Sequence, residues 1–209
     1  MSPRIQEKFY SPADGTDAPW TPLVKKAKDG SRSAFTELVD LFKDDIFKMI
    51  FYRIRTQMDA EDITQEVFMQ AFKKLSGLKK ADRFKSWLFS IAINRVRDFS
   101  RKKRFRSLFQ PSDFGNDIQP LDPKIHNQPE AVDELMKQDF WKQIGLILNK
   151  LSRMEREVFL LRFLDLLSIK EISTVLKKNE STVKTHLYRA LVKFRKSAST
   201  HQLLKEEMP

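Results

Sequence analysis

Apolar residues in this chain recur every three or four positions and do not alternate, a spacing that builds helices and leaves no material for a sheet. The clearest run is Ile63, Val67, Ala71 and Leu75, four apart, with Phe68 and Phe72 beside them. Asp62, Gln65, Glu66, Met69 and Lys73 occupy the other side of that helix. Upstream, Ala34, Phe35, Leu38, Leu41, Phe42, Ile46, Met49 and Ile50 form a long buried face, of one helix or two. Glycine, which weakens helix interiors, is rare, with 5 in 209 residues. The fold class expected is all-α.

Local signals divide this pattern. Residues 1–20 are expected to be a flexible N-terminal tail. Thr21 has the character of an N-cap with Pro22 at the first helical position, and the helix they open should stop at Asp29-Gly30. Another helix should begin at Asp59. The stretch SWLFSIAINRVRDFSRKKRFR, Ser86 to Arg106, then completes a helical bundle over 21–106. Residues 107–130 carry Pro111, Pro120, Pro123, Pro129 and Gly115, with Asp113, Asp117, Asp122 and Glu130 against Lys124, the composition of an acidic, extended linker. Helical spacing resumes at Val132, Met136, Phe140, Ile144 and Leu148. Ser152 with Glu155 and Ser168 with Glu171 are capping boxes, in which serine and glutamate satisfy free N–H groups at a helix start; they mark helices near 153–166 and 169–177. A final helix follows Asn179, a candidate N-cap, and runs to about Lys196. The expected architecture is thus two small helical domains, 21–106 and 131–197, on a flexible linker, with a C-terminal tail at 198–209.

Charge narrows the partner. Lys and Arg outnumber Asp and Glu by 39 to 28, a net charge of +11, which favours a polyanion: nucleic acid first, an anionic membrane surface second. Hydrophobic residues make up 41% of the chain, enough for packed cores and too many for a disordered protein. Without cysteine there is no disulfide, zinc knuckle or thiol nucleophile, and His126, His186 and His201 lack ligand spacing. No metal or other cofactor is expected, and no nucleophile or phosphate-loop constellation suggests an enzyme. No run approaches the ~18 apolar residues of a membrane span, and the N-terminus lacks the apolar core of a signal peptide. The expected compartment is the cytoplasm, with no membrane insertion.

Two stretches could hold nucleic acid. In Ser86–Arg106, Trp87, Leu88, Ile91 and Val96 suit a core, whereas Asn94, Arg97, Arg101 and Arg104 share one stripe by steps of three and four. A basic face with aromatic neighbours suits phosphates and unpaired bases. Trp87 is better placed in the core than stacked on a base. The second stretch, SIKEISTVLKKNESTVKTHLYRALVKFRK, has the layout of a helix-turn-helix, with Ile172, Val175 and Leu176 able to face Val183, Leu187, Leu191 and Phe194. Ser181, Lys184, Thr185 and Tyr188 form a stripe opposite the apolar face, where short polar side chains near a helix N-terminus reach base edges in a major groove. Thr182, Arg189, Lys193 and Arg195 are placed for phosphates. The plain alternative is a helical hairpin with a solvated polar face, and Lys177 and Lys178 stand where a turn more easily uses glycine.

The C-terminal stretch from Leu151 to Lys196 resembles region four of bacterial sigma factors, and shares that likeness with regulators of the LuxR type. DAEDITQEVFMQAFKKL, Asp59 to Leu75, resembles region 2.2 of the extracytoplasmic-function (ECF) sigma factors. FKSWLFSIAINRVRDFSRKKR resembles their regions 2.3 and 2.4, with Trp87, Leu88, Ile91, Ala92, Asn94, Asp98 and Arg101 falling on the pattern. The resemblance covers about 23–106 and 132–197.

This likeness implies partners and roles. The stripe of Asp62, Gln65, Glu66 and Met69 would dock on the clamp helices of the RNA polymerase β′ subunit. Asn94, Arg97, Asp98, Arg101 and Arg104 would meet the minus-ten element of promoter DNA and help melt it. Asn94 and Asp98 could instead fix the loop over 76–84, where the family holds a flipped-out base. Ser181, Thr182, Lys184, Thr185, Tyr188 and Arg189 would read the minus-thirty-five element, while that domain grips the β flap. The linker would thread the polymerase's nucleic-acid channel, and an anti-sigma factor is implied as a further partner. One rival is a stand-alone helix-turn-helix regulator of LuxR type, dimeric on palindromic half-sites, which leaves residues 59–75 unexplained. Another is an adaptor that mimics sigma domains and binds only proteins, which has little use for the basic stripe.

Overall fold

The computed structural model describes residues 18–109, 145 and 147–196, without the side chains of 106–109. The expected tails, most of the linker, the helical spacing from Val132 to Ile144, and His126 and His201 lie outside the described residues. No strand occurs among the described residues. They form two compact units, one of 18–109 with 161–180, the other of 147–160 with 181–196.

The first unit opens with helix α1, Thr21–Lys28. Its N-cap is Trp20, not Thr21: Thr21 is already helical and buried, and its N–H reaches Ala18 O at 2.8 Å. Burial of Trp20, whose ring meets Phe42 edge-on at 5.4 Å, sets the start one residue earlier than the capping signal suggested. The helix does end at Asp29-Gly30, where Gly30 takes φ +97°, a conformation that needs no Cβ.

Ser31 then caps α2, Arg32–Ile54, by accepting the N–H of Ala34 at 3.3 Å. The long apolar pattern makes one helix of 23 residues, burying Ala34, Leu38, Phe42, Ile46, Met49 and Ile50. Arg55 ends it in the left-handed region.

Helix α3, Gln57–Lys74, begins two residues before Asp59 and buries Ala60, Ile63, Val67, Phe68 and Ala71. Phe72 stays half outside, 51% exposed, with its edge on Phe35. Two short 3-10 turns, Leu75–Gly77 and Ala81–Arg83, lead to α4, Phe84–Phe109, which stays helical for three residues beyond the expected end of the bundle at 106. Phe84, Leu88, Phe89, Ile91, Ala92, Ile93 and Val96 of α4 are buried. Helix α2 packs on α1, α3 and α4, and α3 on α4, with Phe42 between Trp20 and Phe84 at the centre.

The remaining residues of this unit join at α2 and α4. Asp165 accepts Arg53 Nη2 at 2.8 Å, with both side chains about 95% buried, at 5% and 3% exposure. Arg53 Nη1 also donates to Met49 O at 2.7 Å, which helps offset the cost of burying its charge. Helix α5, Arg153–Phe163, ends three residues short of the expected 166, because Leu166 turns left-handed at φ 54° and the N–H of Leu167 reaches back to Leu161 O. Helix α6, Ile169–Leu176, lies against α4 and carries the full Ser168–Glu171 capping box. Lys177 then takes φ 53°, held by Lys178 N–H on Ser173 O at 3.0 Å.

In the second unit the other capping box is also present: Ser152 N donates to Glu155 Oε2 at 2.8 Å, and Glu155 N to Ser152 Oγ at 3.4 Å. Helix α7, Glu180–Lys196, starts directly after Asn179. Phe194 stacks on Phe159, centroids 5.4 Å apart. No helix among the described residues is long and apolar enough to cross a membrane.

Candidate polymerase and promoter faces

Burying Ile63, Val67 and Ala71 against α2 and α4 leaves the opposite side of α3 to solvent. Asp62, Gln65, Glu66 and Met69 are all exposed there, and their steps of three and four keep them on one face. Beside this face runs an apolar groove of about 610 Å³ between α2 and α3, lined by Phe35, Val39, Phe47 and Phe72 with Gln65 and Met69. The α2 wall, Val39 and Phe47, is a part of the surface that the sequence pattern had not marked. It could have been found from Phe35, Val39 and Phe47 falling at steps of four and eight. The α3 stripe is thus an acidic and amide rim on a greasy trough, a surface that suits a helix carrying both apolar and basic residues.

Helix α4 carries the second face. Asn94, Arg101 and Arg104 are exposed, Arg97 is half-buried, and Lys102 and Lys103 extend the positive charge. Phe105 stands at this basic end, 63% exposed. Asp98 accepts Arg101 Nη2 at 3.0 Å, so the two groups pair along one helix. The carbonyl of Leu78 in the loop over 76–84 is held from another side, by Lys28 Nζ at 2.7 Å. Trp87 is half-buried, tilted on Phe84 at 5.8 Å, and so stands at the rim of the core instead of inside it. A contact that spacing within α4 could not reveal joins this helix to the first face: Arg95 Nε donates to Gln70 Oε1 at 2.8 Å, and its Nη1 lies 3.5 Å from Glu66 Oε2.

The third face is on α7. Ser181, Lys184, Thr185, Tyr188 and Arg189 are exposed and Thr182 is half-buried, while Val183 and Ala190 are buried. Tyr188 is 70% exposed. Thr185 Oγ1 donates back to Ser181 O at 2.9 Å, which uses its one proton and leaves the oxygen able only to accept. Lys193, expected among the phosphate-contacting residues, is 44% exposed but already paired within the protein. Its Nζ donates to Glu155 Oε2 at 2.6 Å, because a carboxylate only 6% exposed needs a countercharge.

Two separate stretches of the chain match known families. Residues 38–106 match the family described as Sigma-70 region 2, and residues 141–194 match Sigma-70, region 4. The chain is 32% identical over 181 residues to the ECF RNA polymerase sigma factor BldN of Streptomyces coelicolor, covering 86% of this chain and 66% of BldN. It is 30% identical over 176 residues to the ECF RNA polymerase sigma factor SigW of Bacillus subtilis, covering 83% of this chain and 93% of SigW. Among solved structures, the fold resembles the sigma factor RpoE bound to the anti-sigma factor NepR from Bartonella quintana, with a TM-score of 0.61 at 21% identity, over 83% of this chain and 98% of that one. A stand-alone LuxR-type regulator is not supported, since the region 2 match extends over the whole of α3 and most of α4. The chain belongs to the extracytoplasmic-function RNA polymerase sigma factors, non-enzymatic initiation factors that join the polymerase core and direct promoter-specific transcription.

Proposed function

We propose that the work of this sigma factor is divided among the three faces, within functional domains at 21–106 and 131–197 joined by a linker over 107–130. Asp62, Gln65, Glu66 and Met69 dock on the β′ clamp helices. Asn94, Arg97, Asp98, Arg101 and Arg104 bind and open the minus-ten DNA. Ser181, Thr182, Lys184, Thr185, Tyr188 and Arg189 bind the minus-thirty-five element, with the same domain on the β flap. The family matches at 38–106 and 141–194 lie within these two domains. The observation that carries the reading is the exposed α3 stripe at the rim of an apolar groove, one helix away from a basic stripe.

Opening DNA loses stacking worth about 1.4 kcal/mol per base-pair step, and a protein without chemistry can offset it only by binding the extruded strand more tightly than the duplex. The basic stripe with exposed Phe105 is suited to that, since it offers charge for the backbone and a ring for a base. The chain acts in the cytoplasm, beside the polymerase, and has no catalytic activity of its own. An anti-sigma factor is its regulator, a reading that RpoE's complex with NepR supports.

The test is direct. Purified protein is mixed with polymerase core and a set of promoter fragments. A stable complex and promoter-specific initiation are expected. Failure to form the complex, or initiation no more specific than that of core alone, overturns the assignment of faces.

A further inference from the structure

Arg95 joins two faces that the sequence left separate. Gln70 and Glu66, its partners, lie on α3; Arg95 lies on α4, three residues before Asp98 and seven before Lys102, hence on the flank of the basic stripe. The two partners do different things. Gln70 is neutral and half-buried, and its bond to Nε fixes the guanidinium in place. Glu66 and Arg95 are open to solvent, with side chains 53% and 37% exposed. A pair so exposed adds little to stability. Its carboxylate is within reach of another cation, on the same face as Gln65 and Met69.

We propose that Arg95 is a DNA phosphate-binding residue whose charge is held by Glu66 in the unattached chain and is released to the promoter strand when the polymerase takes Glu66. This rests on the reading of Glu66 as a polymerase contact. A cationic side chain approaching the α3 stripe competes with Nη1 of Arg95 for the same oxygen, and two cations on one exposed carboxylate repel each other. Once displaced, Arg95 needs no new position, because Gln70 still holds Nε. The freed charge already stands beside Asp98 and Lys102. Linkage makes the effect reciprocal: a phosphate on Arg95 leaves Glu66 available to the polymerase. The pair therefore weakens DNA binding before docking, and docking removes that penalty.

The experiment uses the full chain and the holoenzyme reconstituted with core. For the chain alone, a labelled single strand of mixed sequence is titrated by anisotropy at several salt concentrations. Glu66→Gln is expected to bind this strand several-fold more tightly, with the slope of log K against log salt steeper by about 0.7, one more phosphate contact. In the double variant with Arg95→Gln that gain should vanish. Glu61→Gln, which removes the same charge from a carboxylate held by Gln57 on α3, should not reproduce it. In the holoenzyme, Arg95→Gln should make the salt dependence of promoter binding shallower, and by more than it does in the chain alone. A gain in Glu66→Gln that survives in the double variant means simple charge removal and overturns the proposal, as does no gain at all. Core affinity separates the two readings. If Glu66→Gln weakens core binding without the strand gain, only the Arg95 inference falls. If core binding is unchanged, the docking role of Glu66 falls and release by the polymerase falls with it. Unchanged thermal unfolding of each variant shows that the fold is intact.

Discussion

Lys193 Nζ lies 2.6 Å from Glu155 Oε2, the oxygen that also accepts the N–H of Ser152 at 2.8 Å. One carboxylate thereby starts α5 and fastens the last turns of α7. The Lys193 hydrogen bond is the largest cause holding the Glu155 carboxyl below its usual range, against the opposing effect of burial, with the Ser152 bonds adding to it. A depressed native pKa means that the unfolded chain binds the proton more readily. The contribution to stability is therefore complete above the unfolded value of 4.5 and is lost as pH falls through the native value. Glu155→Gln keeps the cap but not the charge. We expect it to cost about 1 kcal/mol at neutral pH and to flatten the acid limb of stability against pH, measured by urea unfolding. An unchanged acid limb would show that the pair contributes nothing.

Lys177 offers a gain instead. It adopts φ 53° between α6 and α7, where a side chain costs roughly 1–2 kcal/mol and glycine costs nothing sterically. Glycine also loosens the unfolded chain, which returns part of that gain. Lys177→Gly should thus stabilise the protein by about 0.5–1 kcal/mol in thermal unfolding. A loss of stability would mean that the lysine stem packs usefully over the turn.

The sequence revealed what lies within one helix and concealed what crosses between two. Ile63, Val67 and Ala71, and the boxes at Ser152 and Ser168, are patterns of three and four residues, and each stands as expected. The exposed stripes on α3 and α7 followed from the same periodicity. Arg95 with Glu66 and Lys193 with Glu155 are partners 29 and 38 positions apart, and nothing in either helix announces them. Trp87 and Phe72 are the corresponding misses among apolar residues, since a hydrophobic residue at the edge of a stripe faces the core or the rim according to how closely the neighbouring helix approaches. Thr21 lost its cap to the same cause, the burial of Trp20.

Trp20 therefore makes a discriminating probe of the first bundle. It is 3% exposed and sits edge-on to Phe42, which in turn touches Phe84. Trp20→Ala should cost about 3–5 kcal/mol, as for other large aromatic truncations in a core. Trp87→Ala, removing a ring at the rim, should cost roughly 1–2 kcal/mol. Chemical unfolding of both variants ranks them; the reverse order would place Trp87 at the centre of the bundle.

The faces of α7 predict two kinds of change in promoter use. On the proposed reading, Lys184 and Thr185, exposed near the start of the helix, meet base edges, and Arg189, exposed a turn further on, meets phosphates. A base contact distinguishes sequences, so Lys184→Ala or Thr185→Ala should alter the ranking of promoters that differ in the minus-thirty-five element, by about 1–3 kcal/mol per lost contact. A phosphate contact does not distinguish them. Arg189→Ala should weaken binding to every promoter alike and make the salt dependence shallower by about 0.9. Holoenzyme binding to a panel of minus-thirty-five variants at several salt concentrations checks both. If Lys184→Ala lowers all promoters equally, it touches backbone and the reading edge of α7 is turned towards Tyr188.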